Sequence, residues 1–180
     1  MALRTPPSWL QNGSHPAEND RLSMQAIFNT TGIIGATSLQ TTQNSTPGMS
    51  VFVSSGWAAI VGNYQANMGT YIAYNDATVT LTVTTSNPTL PRIDLVVATV
   101  NDAYYTGSTN NVVFQVIAGT PAASPTVPAT PTNSIALAQI AVAANATQIL
   151  NANITNYNTQ ATTNLSLGTP QFNPFFLIGA

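Results

Sequence analysis

The segment that organises this chain reads Pro91-Arg92-Ile93-Asp94-Leu95-Val96-Val97-Ala98-Thr99-Val100-Asn101-Asp102-Ala103-Tyr104-Tyr105-Thr106-Gly107. Successive side chains of a β-strand point to opposite faces, so the apolar residues of this segment fall on both faces. That pattern is typical of a strand that is covered on both sides. We therefore expect residues 92–101 to form the central strand of the core.

Arg92 and Asp94 stand at the start of this predicted strand. They are two residues apart and so share a face, in a chain of which only 4% of the residues are charged. A charge that enters a buried strand needs a partner, because removing it from water is costly. The spacing predicts a structural ion pair between Arg92 and Asp94, with contact to another protein as the alternative.

Short alternating segments, broken by turn residues about every ten positions, follow one another from Met49 to Asn156, as in a sandwich or barrel. Besides the central strand, the predicted strands cover residues 49–54, 56–62, 71–74, 78–85, 111–118 and 148–155. The strand at 78–85 alternates valine and leucine with threonine, which predicts a half-buried antiparallel strand. We expect it to pair with the central strand, and we expect an all-β fold, an antiparallel β-sandwich.

Two later segments are less regular. Gly119 to Asn133 contains four prolines among alanine and threonine, which favours an extended polyproline conformation.

In residues 134–144 the apolar alternation changes phase after Gln139. A strand with a bulge near Gln139 explains the change, and a short helix is the alternative. We prefer the strand.

The two ends of the chain differ from this strand region, residues 49–156. Residues 1–48 contain half of the charged residues and are predicted to form an N-terminal docking arm. A brief strand or helix is expected inside it, and a helix would begin with Asn19 or Asp20 as its cap. The docking candidates in the arm are Trp9, Leu10, Glu18, Asp20 and Arg21.

Residues 157–180 are predicted to form an extended C-terminal tail. Its last part holds large apolar residues without polar alternation: Phe172, Phe175, Phe176, Leu177 and Ile178. An exposed patch of this kind usually marks a contact. We expect these residues to pack on this domain or on a neighbouring chain.

The composition excludes several classes of function. Three arginines and no lysine, with a net charge of −2, provide no basic patch for nucleic acid. Without cysteine there is no disulfide framework or thiolate metal site. No run approaches the ~18 apolar residues of a membrane span, and the first residues lack the apolar region of a signal peptide. We expect neither membrane insertion nor secretory export.

Residues for catalysis are also scarce. His15 is the only histidine, and Glu18 with Asp20 fits the start of a helix better than an acid–base pair. We therefore expect a protein that is not an enzyme and that uses no metal or cofactor.

A surface with so few charges favours burial against other chains. Tyr104 and Tyr105, in a predicted loop capped by Asp102, are candidates for contact with a glycan or a partner.

Three groups of motifs carry a resemblance to a known family. They are Pro47-Gly48-Met49-Ser50-Val51 with Ser55-Gly56-Trp57-Ala58; Pro91-Arg92-Ile93-Asp94 up to Asp102; and Gly119-Thr120-Pro121-Ala122-Ala123-Ser124-Pro125 with Pro128-Ala129-Thr130-Pro131. With Leu3-Arg4-Thr5-Pro6-Pro7 and the following residues to Arg21, they make the chain resemble the minor tail proteins of phages that infect mycobacteria and related actinobacteria. The resemblance covers most of residues 1–155.

The resemblance implies a structural component of the tail tip or baseplate of a virion, made in the host cytoplasm and assembled as a symmetric oligomer with other tail proteins. A homotrimer is the first expectation. It also implies a role in host attachment, and the alternative function is recognition of a host cell-wall glycan. Some family members carry an acidic and a basic residue near the end of the last strand, where this chain has Asn156-Tyr157-Asn158.

Overall fold

Ten strands, two α-helices and one short 3-10 helix make up the part of the chain that this computed structural model describes, residues 16–163. The elements in chain order are α1 (Ala17–Ile27), β1 (Gly32–Ile34), β2 (Thr41–Gln43), β3 (Ser50–Val53), β4 (Gly56–Val61), β5 (Thr70–Asn75), β6 (Val79–Thr82), β7 (Arg92–Asn101), α2 (Ala103–Thr106), β8 (Asn111–Ile117), β9 (Ser134–Val142), the 3-10 helix (Asn151–Asn153) and β10 (Ile154–Asn156).

The strands form three antiparallel sheets. Their strand orders are β1-β4-β5, β2-β3-β6 and β10-β9-β7-β8. The predicted all-β class is therefore confirmed. The sheets share one hydrophobic core, as in a sandwich, to which each contributes valine, isoleucine, leucine or alanine side chains. Representative core residues are Ile33, Ile60, Val51, Leu81, Val96 and Ile140.

The central strand has the predicted bounds and environment. Val96 and Ala98 face the shared core, and Leu95 and Val97 on the opposite face are also buried. The predicted pairing with the strand at 78–85 is wrong. Both edges of β7 are occupied, by β8 and β9, so no edge is left for β6, which pairs with β3 instead.

The proline-rich segment covers β7. It connects β8 to β9, which flank β7 on either side, so it has to cross the central strand. One face of β7 is packed on the core, and the segment therefore crosses the face that carries Leu95 and Val97. Ala122 N–H donates to Pro91 O at the start of the crossing, and Val100 N–H donates to Asn133 O at its end. As predicted, the segment has no helix or strand.

Residues 134–142 form a strand, so the strand interpretation of this segment is confirmed. The bulge lies at Leu137, two residues before Gln139. Val96 pairs with Ala138 and Val97 with Ala136, which leaves Leu137 as the extra residue. Leu137 and Ala138 are both buried, so the apolar phase changes between them. A bulge places two consecutive residues of one strand opposite a single residue of the neighbouring strand, which allows both Leu137 and Ala138 to be buried.

The last predicted strand is shorter than expected. Within 148–155, Asn151–Asn153 form a 3-10 helix, and β10 spans only Ile154–Asn156. The Asn156 side chain pairs with the backbone of Thr41: Asn156 Oδ1 accepts from Thr41 N–H and Asn156 Nδ2 donates to Thr41 O, each at 2.8 Å. This amide pair joins β10 to β2 and so links two of the three sheets.

The segment assigned to the docking arm takes part in the fold from residue 16 onward. β1 pairs with β4 and β2 pairs with β3, so both strands are hydrogen-bonded to strands beyond residue 49. The predicted caps Asn19 and Asp20 are wrong, since the helix begins at Ala17 with Pro16 as its N-cap. Glu18 and Asp20 fall in the first turn, where acidic groups suit the helix dipole. Trp9, Leu10 and the tail residues 172–178 lie outside the described residues.

Candidate functional site

Arg21 on α1 is the centre of a cluster of polar and aromatic side chains. The helix comes close to the start of β5 at Gly69, whose φ is +77°. A Cβ at Gly69 would lie 2.4 Å from the carbonyl carbon of Arg21, so only glycine permits this approach. The same approach lets Arg21 Nε donate to Met68 O at 2.8 Å.

The guanidinium of Arg21 also contacts the end of the central strand and α2. Nη2 donates to the Tyr105 hydroxyl at 3.2 Å, and Nη1 lies 3.7 Å from Asp102 Oδ2. Its central carbon lies 4.9 Å from the centre of the Tyr71 ring, within the range of a cation–π interaction. Arg21 therefore connects α1, β5 and the segment after β7.

Asp102 organises the other side of this site. Its Oδ1 accepts from Tyr104 N–H at 3.0 Å and so caps α2, as predicted for the tyrosine loop. Its Oδ2 accepts from the Tyr71 hydroxyl at 2.7 Å. Burial and this hydrogen bond raise the pKa of the Tyr71 phenol above its ordinary value, because both disfavour the phenolate.

A cleft of about 340 Å³ opens beside these groups. We call it the Arg21 cleft, and its lining residues are Pro16, Ala17, Glu18, Arg21, Asp102, Tyr104 and Tyr105. A shallower hollow of about 430 Å³ adjoins it and shares Arg21 and Asp102. The hollow is further lined by Asn101, Asn110 and Asn111.

The Arg21 cleft offers hydrogen bonding and aromatic stacking. Tyr104 is 86% exposed and meets Tyr105 edge to face, with ring centroids 5.0 Å apart. Arg21 and Asp102 are engaged with each other and with neighbouring groups, which suits a rigid surface better than proton transfer. Within residues 16–163, no group of three or more His, Cys, Asp or Glu side chains is arranged to hold a metal ion.

Arg92 and Asp94 lie far from this cleft, at the other end of β7. Arg92 Nε donates to Asp94 Oδ1 at 2.8 Å, and both side chains are buried. Arg92 also donates to the carbonyls of Thr84 and Thr85, and Gly119 N–H donates to Asp94 Oδ1 at 2.9 Å. These contacts link three segments of the scaffold: β7, the residues after β6 and the residues after β8.

A second exposed feature is apolar. Ile34, Trp57, Ile72 and Tyr74 lie on the outer face of the β1-β4-β5 sheet, and we call this surface the Trp57 face. Trp57 and Tyr74 are cross-strand neighbours whose ring centroids are 4.0 Å apart. Their exposed fractions are 46% and 52%, and that of Ile72 is 36%.

The structure brings together two groups that the sequence suggested separately. Glu18 and Arg21 of the predicted arm line the same cleft as Tyr104 and Tyr105. The ion pair of Arg21 with Asp102 was not predicted. The composition did contain a signal for such a pair. The chain has three arginines and five acidic residues, so each buried arginine has few carboxylates with which it can pair.

Comparison with known proteins adds no relative: no family model, no curated protein and no solved structure matches the chain. None of the helices within residues 16–163 is long and apolar enough to cross a membrane.

Proposed function

We propose that this chain is a non-enzymatic structural protein of a phage tail tip or baseplate, where it assembles as a symmetric oligomer. A surface almost free of charge carries the proposal. Of the eight charged residues, all but Arg4 lie within residues 16–163. Four of these form internal ion pairs, Arg21 with Asp102 and Arg92 with Asp94.

Such a surface supports association in two ways. Like charges keep monomers apart, and this surface has few of them. It also carries the exposed aromatic ring of Tyr104, and aromatic side chains are enriched in the centres of protein interfaces. A homotrimer is the proposed assembly, in line with closed symmetry as the general rule for oligomers.

The phage assignment is supported by the resemblance to minor tail proteins. Two of the segments that carry the resemblance, Pro91–Asp94 and Gly119–Pro125, are joined by the hydrogen bond from Gly119 to Asp94. The segments therefore belong to one structural unit, which gives a physical reason for their occurring together.

Sedimentation of the purified full-length chain tests the assembly. The expected species has three times the chain mass of 18.8 kDa. A folded monomer at all working concentrations, together with no binding to any tail protein, would argue strongly against the proposal. Detection of the chain in purified particles by mass spectrometry tests the virion assignment, and its absence from particles would exclude it.

The docking role of the arm needs a truncation that spares the fold. Removing residues 1–35 would delete α1 and β1, whereas removing residues 1–15 leaves every described element in place. We expect the chain without residues 1–15 to keep its circular dichroism spectrum and to lose attachment to tails. Full retention on purified tails would contradict the docking arm.

A host glycan is the second candidate partner. The exposed ring of Tyr104 beside the asparagine amides of the adjoining hollow favours it, since sugars stack on aromatic rings and bond to amides. Tyr104→Ala should abolish binding to host cell walls, with Tyr64→Ala, another exposed tyrosine, as control. Tyr105 is a poorer probe because it contacts Arg21. An absence of binding to whole host cells would remove this candidate.

A further inference from the structure

The Trp57 face is unusual for a chain of this composition. Three large side chains, Trp57, Ile72 and Tyr74, stand together on the outer face, while the inner face of the same sheet packs on the core through Ile33 and Ala58. β1, β4 and β5 contain no charged residue. Contiguous exposed apolar surface of this kind generally marks a contact.

The end of the described chain lies at the edge of this sheet. Ile33 N–H donates to Thr159 O and Ala161 N–H donates to Ile33 O, so residues 159–161 run along the free edge of β1. A Cβ at Gly32 would lie 2.2 Å from Ala161 N. Because Ile33 faces the core, its neighbour Gly32 faces outward. The backbone at Ala161 therefore passes over the outer side of β1, the side of the Trp57 face.

We propose that the apolar segment Phe172–Ile178 of the same chain covers the Trp57 face. Thr163 forms a β-bridge with Phe28, and Phe28 lies six residues before Ile34, the residue that pairs with Trp57. Six residues of extended chain separate Phe28 from Ile34 by at most ~20 Å, and the two strand spacings between Thr163 and Trp57 add ~10 Å across the sheet. The distance from Thr163 to Trp57 is therefore at most ~22 Å. The nine residues from Thr163 to Phe172 span up to ~30 Å, enough to reach the face.

The chemistry of the two surfaces agrees. No charged residue occurs after Asp102, so burial of the segment removes no side-chain charge from water. Phenylalanine and leucine side chains match the aromatic and aliphatic groups of the face, and aromatic pairs gain energy beyond their buried area. This inference stands independently of the phage assignment, because both surfaces belong to one chain.

Tryptophan fluorescence of the full-length chain provides the first test. Trp9→Phe leaves Trp57 as the single indole. In that background, Phe175→Ser with Phe176→Ser should shift the emission to longer wavelength and raise the acrylamide quenching constant about twofold, because the indole loses its cover. Leu165→Ser with Leu167→Ser, outside the proposed segment, is the matched control and should change neither. Equal quenching in the parent and in the Phe175/Phe176 variant would overturn the proposal.

Cross-linking identifies the occupant directly and does not depend on the serine variants. The chain has no cysteine, so Ile72→Cys combined with Phe176→Cys introduces the only two thiols. Reaction with a short bifunctional maleimide should yield a cross-linked peptide within a single chain, including at dilutions where no oligomer forms. Cross-links found only between two chains would assign the face to a second copy and overturn the proposal, as would the absence of any cross-link.

Discussion

Arg92 and Asp94 form a two-point ion pair at the start of the central strand, with Nε 2.8 Å from Oδ1 and Nη2 3.1 Å from Oδ2. Both side chains are buried, and Arg92 in addition donates to the carbonyls of Thr84 and Thr85. Planar guanidinium and carboxylate groups match in this geometry. The pair thus holds the turn between β6 and β7 against the central strand.

Removal of one partner should be strongly destabilising. We expect Asp94→Ala to lower the free energy of unfolding by about 3–5 kcal/mol, because it leaves a buried guanidinium without its counter-charge. The double variant Arg92→Met with Asp94→Leu should lose less than the two single variants combined. Urea unfolding of the wild type, Asp94→Ala, Arg92→Met, Asp94→Leu and the double variant measures both effects. A loss below about 1 kcal/mol in Asp94→Ala would show that the pair is not needed for the fold.

Gly119 should not tolerate a side chain. A Cβ at this position would lie 2.0 Å from Ile93 O. Overpacking of this kind typically costs about 1–3 kcal/mol, and we expect Gly119→Ala to reach the upper end of that range because the obstacle is backbone. Gly48→Ala is the control, since a Cβ there meets nothing within 4 Å. Equal midpoints of thermal unfolding for the two variants would contradict the close approach of residue 119 to β7.

Asn133 combines a left-handed backbone with a hydrogen-bonding side chain. Its φ is +52°, and its Oδ1 accepts from the N–H groups of Asn63 and Tyr64 at 2.8 and 3.2 Å. Asn133→Gly retains the backbone conformation and should cost about 0.5–1.5 kcal/mol through loss of these hydrogen bonds, since the two donors lie on exposed residues and can bond to water. Asn133→Ala should cost about 1 kcal/mol more, because alanine resists positive φ.

The exposed Asn158, with φ +50°, serves as the comparison for Asn133. Asn158→Ala should show only the backbone cost, about 1 kcal/mol. Denaturant unfolding separates the three variants. If Asn133→Ala were no worse than Asn158→Ala, the side-chain hydrogen bonds of Asn133 would contribute nothing to stability.

Tyr71 should make stability depend on pH in the alkaline range. The folded state holds the phenol proton more tightly than the unfolded state, so the unfolded chain releases it first as the pH rises above about 10. The contribution of this group is complete below about pH 10 and decreases above it. We expect Tyr71→Phe to reduce stability by about 1 kcal/mol at neutral pH through loss of the bond to Asp102.

The comparison of wild type and Tyr71→Phe should be made at about pH 8 and at about pH 11, on either side of the ordinary tyrosine pKa. The wild type should lose more stability between these two values than the variant. Tyr64→Phe changes an exposed site and should lose as much stability between these two pH values as the wild type does. Parallel pH profiles of wild type and Tyr71→Phe would refute the raised pKa.

Features that depend on local patterns were predictable. The bounds of the central strand, residues 92–101, follow from its consecutive apolar residues. The inward side chains of β6 follow from the alternation of valine and leucine with threonine. The cap of α2 by Asp102 follows from the short reach of its side chain. The bulge was detected from the phase change in residues 134–142, although its position was two residues off.

The candidate site was less predictable, because its parts are distant along the chain. Arg21 and Asp102 are 81 positions apart, and no local pattern relates them. Their approach depends on α1 packing at Gly69, a contact between helix and strand that only the folded chain reveals. The outer Trp57 face has the same origin, since Trp57 and Tyr74 become neighbours only through the pairing of β4 with β5.

By itself, the sequence determined the all-β class, the extent of the central strand and the scarcity of charge, since these follow from residue type and alternation along the chain. Only the tertiary structure decided which strands pair, that Arg21 pairs with Asp102, and that Gly32–Ile34 and Thr41–Gln43 belong to the sheets. The physical reason is that strand pairing and ion pairing depend on which segments compete for the same edge or charge. Because β8 and β9 occupy both edges of β7, the strand nearest before it in the sequence, β6, joins another sheet.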